Sequence, residues 1–416
     1  MSAGAGPVGA GLGGSGSSAV DPAGAGPAAA GPAGAMGRWI ADRARVRAAR
    51  GGSRATRVAA GLYDLASNDY LGLARDPRLA AAAAAAEAEF GTSAAASRVV
   101  VGTLAVHEEL EAALCRLTRR EHALAFSSGY AANLGLLASL GGPGTLMVLD
   151  EHAHASLIDG ARLSRSGTRT AAHNSCDDVA RLLAGRREPR AVVAVESVYS
   201  VLGDAAPLAR LAEVCAEHDA VLVVDEAHSI GVHGAGSVHA AGLAGDPRVV
   251  VTATLSKALG SQGGAVLGAG DFGAALRDHL VNTARTFVFD TGLAPGAAAA
   301  AAEAARIAAA DGSLPDRLAA RSRQIVAALA PVAELDVGCG AVHSARIGSA
   351  AAAADAAGQL RRLGIAAGCF RPPSVPDGVS RLRFTARAAQ DRHELGRALA
   401  VVADVLTTID RQEPAA

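Results

Sequence analysis

The sequence predicts an α/β fold: a large, mostly parallel sheet sandwiched by helices, followed by a smaller α+β C-terminal domain. Three observations carry this. Between residues 123 and 268, short apolar runs alternate with helix-period segments, the pattern of a parallel sheet covered on both faces. After Gly292 the composition shifts to alanine-rich helical stretches with only short strands between them. Half of the 416 residues are hydrophobic, enough to bury the cores of two lobes.

Taken in order, residues 1–37 are rich in Gly, Ala, Pro and Ser and cannot bury enough apolar surface to fold, so a disordered tail is expected. Residues 38–78 form an N-terminal segment. Its Arg38–Arg50 stretch reads as a basic helix, and "LASNDYLGL" (Leu65–Leu73) is turn-rich. The large domain spans residues 79–294. It opens with helices over Leu79–Phe90 and Val106–Leu117, the latter with acidic residues near its start, favourable to the helix dipole. Strands are expected at Ala123–Phe126, Thr145–Leu149, Ala191–Val195, Ala220–Val224, Val249–Ala253 and Ala265–Gly268. Helices between them include Tyr130–Leu140, Asp177–Leu183 and Pro207–His218. Residues 295–410 form the small domain, with helices at Pro295–Ala309, Leu318–Leu329 and Ala350–Leu363 and strands at Ala341–Ile347 and Arg381–Thr385.

Bulk properties narrow the function. The formal net charge is −1 and no basic stripe interleaves with aromatics, so neither nucleic acid nor an acidic membrane surface is an expected partner. No apolar run is long enough for a bilayer span, and the N-terminus lacks the charged and leucine-rich regions of a secretion signal. Five scattered cysteines without a CxxC pair fit free thiols in a reducing cytoplasm.

The sharpest single feature is Lys257. The chain has 39 Lys plus Arg, and all but this one are arginine. Arginine stays protonated, whereas a desolvated lysine loses its proton and attacks a carbonyl to form an imine. Lys257 follows the apolar run Val249–Val251 and precedes Gly260–Gly264, which places it just past the C-terminal end of a core strand. In open α/β sheets ligands collect at that edge.

Other segments fall at the same edge. In "FSSGYAAN" (Phe126–Asn133) a small-residue loop opens a helix at Gly129 and Tyr130, and helix N-termini bind phosphate. Standing alone, the segment is an ordinary β–α turn. "DEHAHASL" (Asp150–Leu157) offers His152 and His154, but not the helical spacing or third ligand of a zinc site, so no metal is expected. Stacking over a planar cofactor is the better use of His154. "AVLVVDEAHSIGVHG" (Ala220–Gly234) delivers Asp225 to a strand end, with His228 three residues later. Its letters "DEAH" match a nucleotide-hydrolysis box, but the lone lysine lies in no phosphate loop, which removes that reading. An imine-forming lysine, a strand-end carboxylate, a phosphate site and a histidine loop together form the set that pyridoxal phosphate requires.

With "SNDYLGL", "SSGYAANLG", "HASL", "VESVYSVLGDAAPL", "VDEAHSIGVHG", "TLSKALGSQGG" and "FRPPSVP" in this order, the chain resembles the α-oxoamine synthases over roughly Arg38 to Ile409. These are pyridoxal-phosphate enzymes of fold type I, built on a seven-stranded sheet. The resemblance implies that Lys257 holds the cofactor as an imine and that Asp225 pairs with its ring nitrogen. His228 and Ser200 would lie at the phenolic oxygen, Thr254 with the Gly129 and Tyr130 backbone at the phosphate. His154 would stack on the ring and contact substrate, Asn68 would help shape the site, and Ser374 and Arg371 would lie at the substrate. Arg50 or Arg54 fits an N-terminal substrate arginine. The chain departs from the family's pattern at Ser229, at Leu202 and at Ala94–Ala96, and it carries "RPPS" for the usual "RPPT". None of these changes removes a group that the chemistry needs.

The closest likeness is to the branch that makes the aminoketone precursor of biotin. It implies a decarboxylative condensation of L-alanine with a pimeloyl thioester, carried on coenzyme A or acyl carrier protein, in a cytoplasmic homodimer. Sister enzymes using glycine or serine and a fold type I aminotransferase are the alternative activities. A catalytically dead binding subunit is disfavoured, because Lys257, Asp225 and His228 are all present.

Overall fold

The computed structural model describes residues 34–372, 374–375 and 377–410. The tail expected over residues 1–37 lies outside the described residues as far as position 33. Its last four positions are helical, because α1 runs Gly34–Ala49 and begins before the expected Arg38. Good helix formers at Ala35 and Met36 extend it upstream. This helix belongs to a first unit ending at Arg54; every other element belongs to a second unit, Ala55–Ala416.

The second unit opens with a two-residue strand, β1 (Tyr63–Asp64), and two helices, α2 (Pro77–Phe90) and α3 (Ala105–Thr118). Asp76 caps α2 by accepting from the Arg78 N–H, with Pro77 in the first turn where its missing N–H costs nothing. Then come β2 (His122–Phe126), α4 (Gly129–Leu140), β3 (Thr145–Asp150), α5 (Ala155–Leu163), β4 (Gly167–Ala171) and α6 (Cys176–Ala184). They are followed by β5 (Arg190–Glu196), α7 (Leu208–Glu217), β6 (Val221–Asp225), the short α8 (Ser237–Ala240), β7 (Val249–Thr254) and β8 (Gly264–Gly268).

These strands make one seven-stranded sheet in the order β2-β8-β7-β6-β5-β3-β4. Strands β7, β6, β5, β3 and β4 run parallel, while β8 is antiparallel to both β7 and β2. Alternate residues of each strand enter opposite layers. Val148, Val193 and Leu222 join one core cluster, Met147, Val192 and Val223 the other. Each fully buried aliphatic side chain of this kind contributes roughly 1.5–3 kcal/mol. The edge strand β4 was not expected from the sequence: "GTRTA" is exposed at every position but Ala171, so it carries no apolar run to reveal it.

The remaining elements are α9 (Gly270–Thr283), α10 (Arg285–Val288), α11 (Pro295–Ala310), α12 (Ser313–Leu329), β9 (Leu335–Val337), β10 (Val342–Ile347) and α13 (Ala350–Arg362). Strands β11 (Ile365–Ala366), β12 (Gly368–Phe370) and β13 (Ser380–Thr385) follow, and α14 (Arg392–Asp410) ends the described chain. Strands β12-β13-β10-β9 form a four-stranded sheet with antiparallel pairing throughout. Two features cross the lobe boundary drawn from sequence. The N-terminal segment reaches the C-terminal lobe, because β1 pairs with β11. Helix α11, expected to begin the small domain, packs against α2 and α3, where its buried Ala298, Ala301 and Ala305 allow close approach.

Candidate active site

Three parallel strands end side by side and deliver the reactive groups. Asp225 is the last residue of β6, Glu196 the last of β5, and Lys257 sits three residues beyond β7. Helix α4 faces them from one side of the sheet.

The Lys257 Nζ lies 2.8 Å from His228 Nε2. His228 Nδ1 lies 2.7 Å from the Tyr70 hydroxyl, which donates to Asn68 Oδ1 at 3.0 Å. Because that hydroxyl proton goes to Asn68, the network places the imidazole hydrogen on Nδ1 and leaves Nε2 to accept from the amine. Burial, and then the charge on Lys257, hold the imidazole well below its ordinary value, so it is neutral. Burial also lowers the lysine, with Asp225 and Glu196 opposing it. An amine desolvated in this way is a base and nucleophile at accessible pH.

Asp225 is buried. Its Oδ1 accepts from the Ala227 N–H at 2.9 Å, its Oδ2 from Asn133 Nδ2 at 2.7 Å. The same Asn133 amide donates to Ser156 Oγ at 2.8 Å, and Ser156 Oγ lies 2.7 Å from His154 Nδ1. His154 caps α5: its Nδ1 also accepts the Ser156 N–H at 3.2 Å, which leaves Nε2 as the protonated nitrogen. Burial holds this ring below its ordinary value too, so it stays neutral. Glu196, on the neighbouring strand, is pushed well above the usual carboxylate range by burial and then by Asp225. Of the two adjacent carboxyls, Glu196 is therefore the one that holds a proton.

An anion cradle adjoins this group. At the start of α4, Ser128 Oγ takes the Ala131 N–H and Ser128 O the Ala132 N–H. Gly129 and Tyr130 provide the donors left at that helix end. A Cβ on Gly129 would come within 2.9 Å of Thr254 Cβ, and one on Gly264 within 2.4 Å of the Gly129 nitrogen. Only glycines fit where these backbones meet. Thr254 Oγ1 lies 2.8 Å from Ser256 Oγ, which sets two hydroxyls at the same place. The Tyr130 side chain turns to the surface, its hydroxyl donating to Asp159 at 2.6 Å.

Beside His154 opens a cleft of about 460 Å³, with Ser200 and Ser374 as polar lining and Ile158, Val201, Leu202, Phe370 and Val375 as apolar walls. Ser374 N donates to the Arg371 carbonyl at 2.8 Å. Arg50 lies just after α1, in the first unit. Among the described residues, no group of three or more His, Cys, Asp or Glu side chains is placed to hold a metal.

Four site residues escaped sequence reasoning. Asn133 sits one helical turn from Gly129 as the only amide in an apolar helix, a spacing that signals a shared inward face. Glu196 and Tyr70 lie inside quoted motifs. Arg383 is the least expected, because "RLRFT" reads as a strand with one charged, solvated face. That face is buried. Arg381 is held by Asp336 and Asp377, while Arg383 donates to Ser200 O at 2.8 Å and Asn68 Oδ1 at 3.0 Å. The Arg383 Nε is buried with no hydrogen-bond partner among the described residues, and the Arg383 charge acts on both His228 and Lys257.

The site fits pyridoxal phosphate on its own geometry: a desolvated amine, a buried carboxylate held by an amide, a glycine-lined helix start and two neutral imidazoles hydrogen-bonded into the same network. Comparison with known proteins agrees. The family described as aminotransferase class I and II matches residues 60–402. The chain is 47% identical over 376 residues to the 8-amino-7-oxononanoate synthase of Mycolicibacterium smegmatis, covering 89% of this chain and 97% of the relative. It is 49% identical over 346 residues to that of Mycobacterium avium, covering 82% and 89%. Among solved structures, the serine palmitoyltransferase of Sphingomonas wittichii superposes with a TM-score of 0.81 at 30% identity, covering 90% of this chain and 97% of that one. A serine palmitoyltransferase carrying the pyridoxal-phosphate internal aldimine superposes at 0.82 with 28% identity, covering 90% and 98%. The chain belongs to the class I and II aminotransferase family, on the branch of the 8-amino-7-oxononanoate synthases.

Proposed function

We propose that the residues gathered around Lys257 perform a decarboxylative condensation, each in a distinct role. The overall reaction joins L-alanine to a pimeloyl thioester and gives 8-amino-7-oxononanoate, carbon dioxide and the free thiol carrier. The chain is a pyridoxal-phosphate-dependent acyltransferase of biotin synthesis. The cofactor, when bound, supplies an electron sink for the pair left at the amino-acid Cα.

The observation that carries the assignment of roles is the burial of the Lys257 amine against neutral His228, with Asp225 at the end of the next strand. Lys257 removes the Cα proton. Asp225, oriented by Asn133, would hold a proton on the cofactor's ring nitrogen. Gly129 and Tyr130 N–H groups with Thr254 would hold its phosphate. Ser200 and His228 would serve its phenolic oxygen. Neutral His154 donates from Nε2 to the acyl oxygen as charge develops there. Arg383, whose charge acts on the Lys257 amine, joins Arg371 as a holder of the alanine carboxylate, which leaves as carbon dioxide. The apolar walls next to His154 take the pimeloyl chain and exclude water, at about 0.8 kcal/mol per buried methylene. Ser374 lines the same space, and Arg50 is assigned to substrate on the family pattern alone.

The carrier is coenzyme A or acyl carrier protein. Exposed Val100, Val101 and Phe289 support a homodimer, and five unpaired cysteines support a cytoplasmic setting. Among the described residues, no helix is long and apolar enough to cross a membrane.

The deciding assay follows carbon dioxide and aminoketone across pimeloyl, acetyl, succinyl and palmitoyl thioesters, each with alanine, glycine or serine. Pimeloyl with alanine is expected to give the highest kcat/KM. Acetyl with glycine in first place would overturn the substrate assignment and leave the chemistry at Lys257 standing.

A further inference from the structure

One side-chain cluster at the rim of the cleft has no part in the chemistry above. His173, in the turn after β4, spans two carboxylates: Nδ1 to Asp150 Oδ1 at 2.8 Å and Nε2 to Asp204 Oδ2 at 2.7 Å. Its ring stacks on His152 with centroids 3.7 Å apart and planes 19° apart, and the Tyr199 ring meets it edge-on at 4.5 Å. Asp150 closes β3 and also accepts the His152 N–H at 2.7 Å and the Asn174 N–H at 2.8 Å. Asp204 lies in the loop after β5 and takes Asn174 Nδ2 at 2.8 Å.

The two loops tied in this way form two of the walls of the cleft. One carries His152 and His154, the other Ser200, Val201 and Leu202. We propose that His173 is a positioning residue for the acyl donor: by bridging Asp150 and Asp204 it holds these two loops at the separation the acyl chain requires. The inference rests on the assignment of this cleft to the acyl chain.

The bridge needs both ring nitrogens to donate, and a neutral imidazole has only one N–H. Burial alone would lower this ring, but the hydrogen bonds to Asp150 and Asp204 outweigh it and push it up to about 9. His152, facing it, is held below its ordinary value by burial and then by the His173 charge. Tyr199 meets the ring edge-on, Glu151 acts on the facing His152, and Asp178 of α6 is one residue away through the Ala172 N–H. Asp178 is paired with Arg181, so the two bridging aspartates set the titration.

The test uses holoenzyme, with His173→Gln, Asp204→Asn and, as a control on the cleft itself, Ile158→Phe. His173→Gln is expected to raise KM for the pimeloyl thioester about tenfold while kcat and the Cα-proton exchange of alanine without acyl donor change less than about threefold. In the native enzyme the acyl-donor KM is expected to rise as pH passes about 9. Asp204→Asn should move that rise down by about one pH unit, because one stabilising charge is gone. An unchanged acyl KM in folded His173→Gln overturns the proposal, as does an unmoved pH dependence in Asp204→Asn. The second variant decides alone if the first does not fold. If Ile158→Phe leaves the acyl KM unaltered, the cleft assignment fails first. If Ile158→Phe raises it and His173→Gln does not, only the role of His173 falls.

Discussion

Asn133 donates to Asp225 at 2.7 Å from a different element, helix α4 against the end of β6. Through Ser156 the same amide reaches His154, so one side chain orients both the carboxylate and the imidazole. Asp225→Asn is nearly isosteric and should keep the fold. It should slow Cα-proton exchange of alanine by roughly 10²–10⁴, the equivalent of ~3–5 kcal/mol of lost stabilisation. Exchange at the native rate, read by deuterium incorporation, would reduce Asp225 to a structural cap.

Lys257→Arg should abolish turnover and also the link to the cofactor that borohydride fixes, since a guanidinium neither attacks a carbonyl nor accepts a Cα proton. Mass analysis after reduction checks the link. Normal turnover in this variant would remove the basis of the mechanism.

Gly129→Ala places a methyl 2.9 Å from Thr254 Cβ at the anion cradle. Affinity for pyridoxal phosphate should fall by about tenfold to a hundredfold as the cradle shifts, with a smaller change in apo-protein melting temperature. A cofactor titration followed by absorbance measures the first effect, calorimetry the second.

Arg383→Lys keeps the charge but loses the fork that reaches both Ser200 O and Asn68. It should raise KM for L-alanine by about tenfold or more and leave the acyl-donor KM within a factor of about three. Equal effects on both substrates would mean that Arg383 only supports the loop at Ser200.

The His173 pair also carries a stability signature. Its folded value is raised, to about 9, so the stabilisation it provides is complete below the ordinary histidine range. That stabilisation is lost as pH rises through about 9. The melting temperature of native protein should therefore fall toward that of His173→Gln between pH 7 and 10, and the two curves should converge at the alkaline end.

The sheet was legible because its inner strands are continuous apolar runs ending in polar residues, and Lys257, Asp225, His228 and His154 all follow such runs. What escaped was set by tertiary contact. Strand β4 has no buried face of its own except at Ala171. Arg383 lies in a strand whose alternation looks solvated, and only the arrival of Asn68 and Ser200 from distant segments makes its burial tolerable. The His173 bridge joins residues far apart in the chain, and its parts have no local pattern. Even the Lys257–His228 contact, between two residues picked out from sequence, was visible there only as two candidates at one sheet edge.

The antiparallel pairing of β7 with β8 sets how the reactive lysine acquires its position. Thr254 pairs with Gly264, so residues 255–263 form a closed hairpin loop that carries Lys257. A hairpin is a local contact and closes in microseconds, whereas Asp225, His154 and Asn133 come together only when parallel strands joined by helical crossovers have docked. The loop that carries Lys257 thus needs only a local pairing to close, whereas its electrostatic partners need the whole sheet. During refolding, the ability to capture the cofactor should lag behind the first appearance of β structure and coincide with closure of the whole sheet.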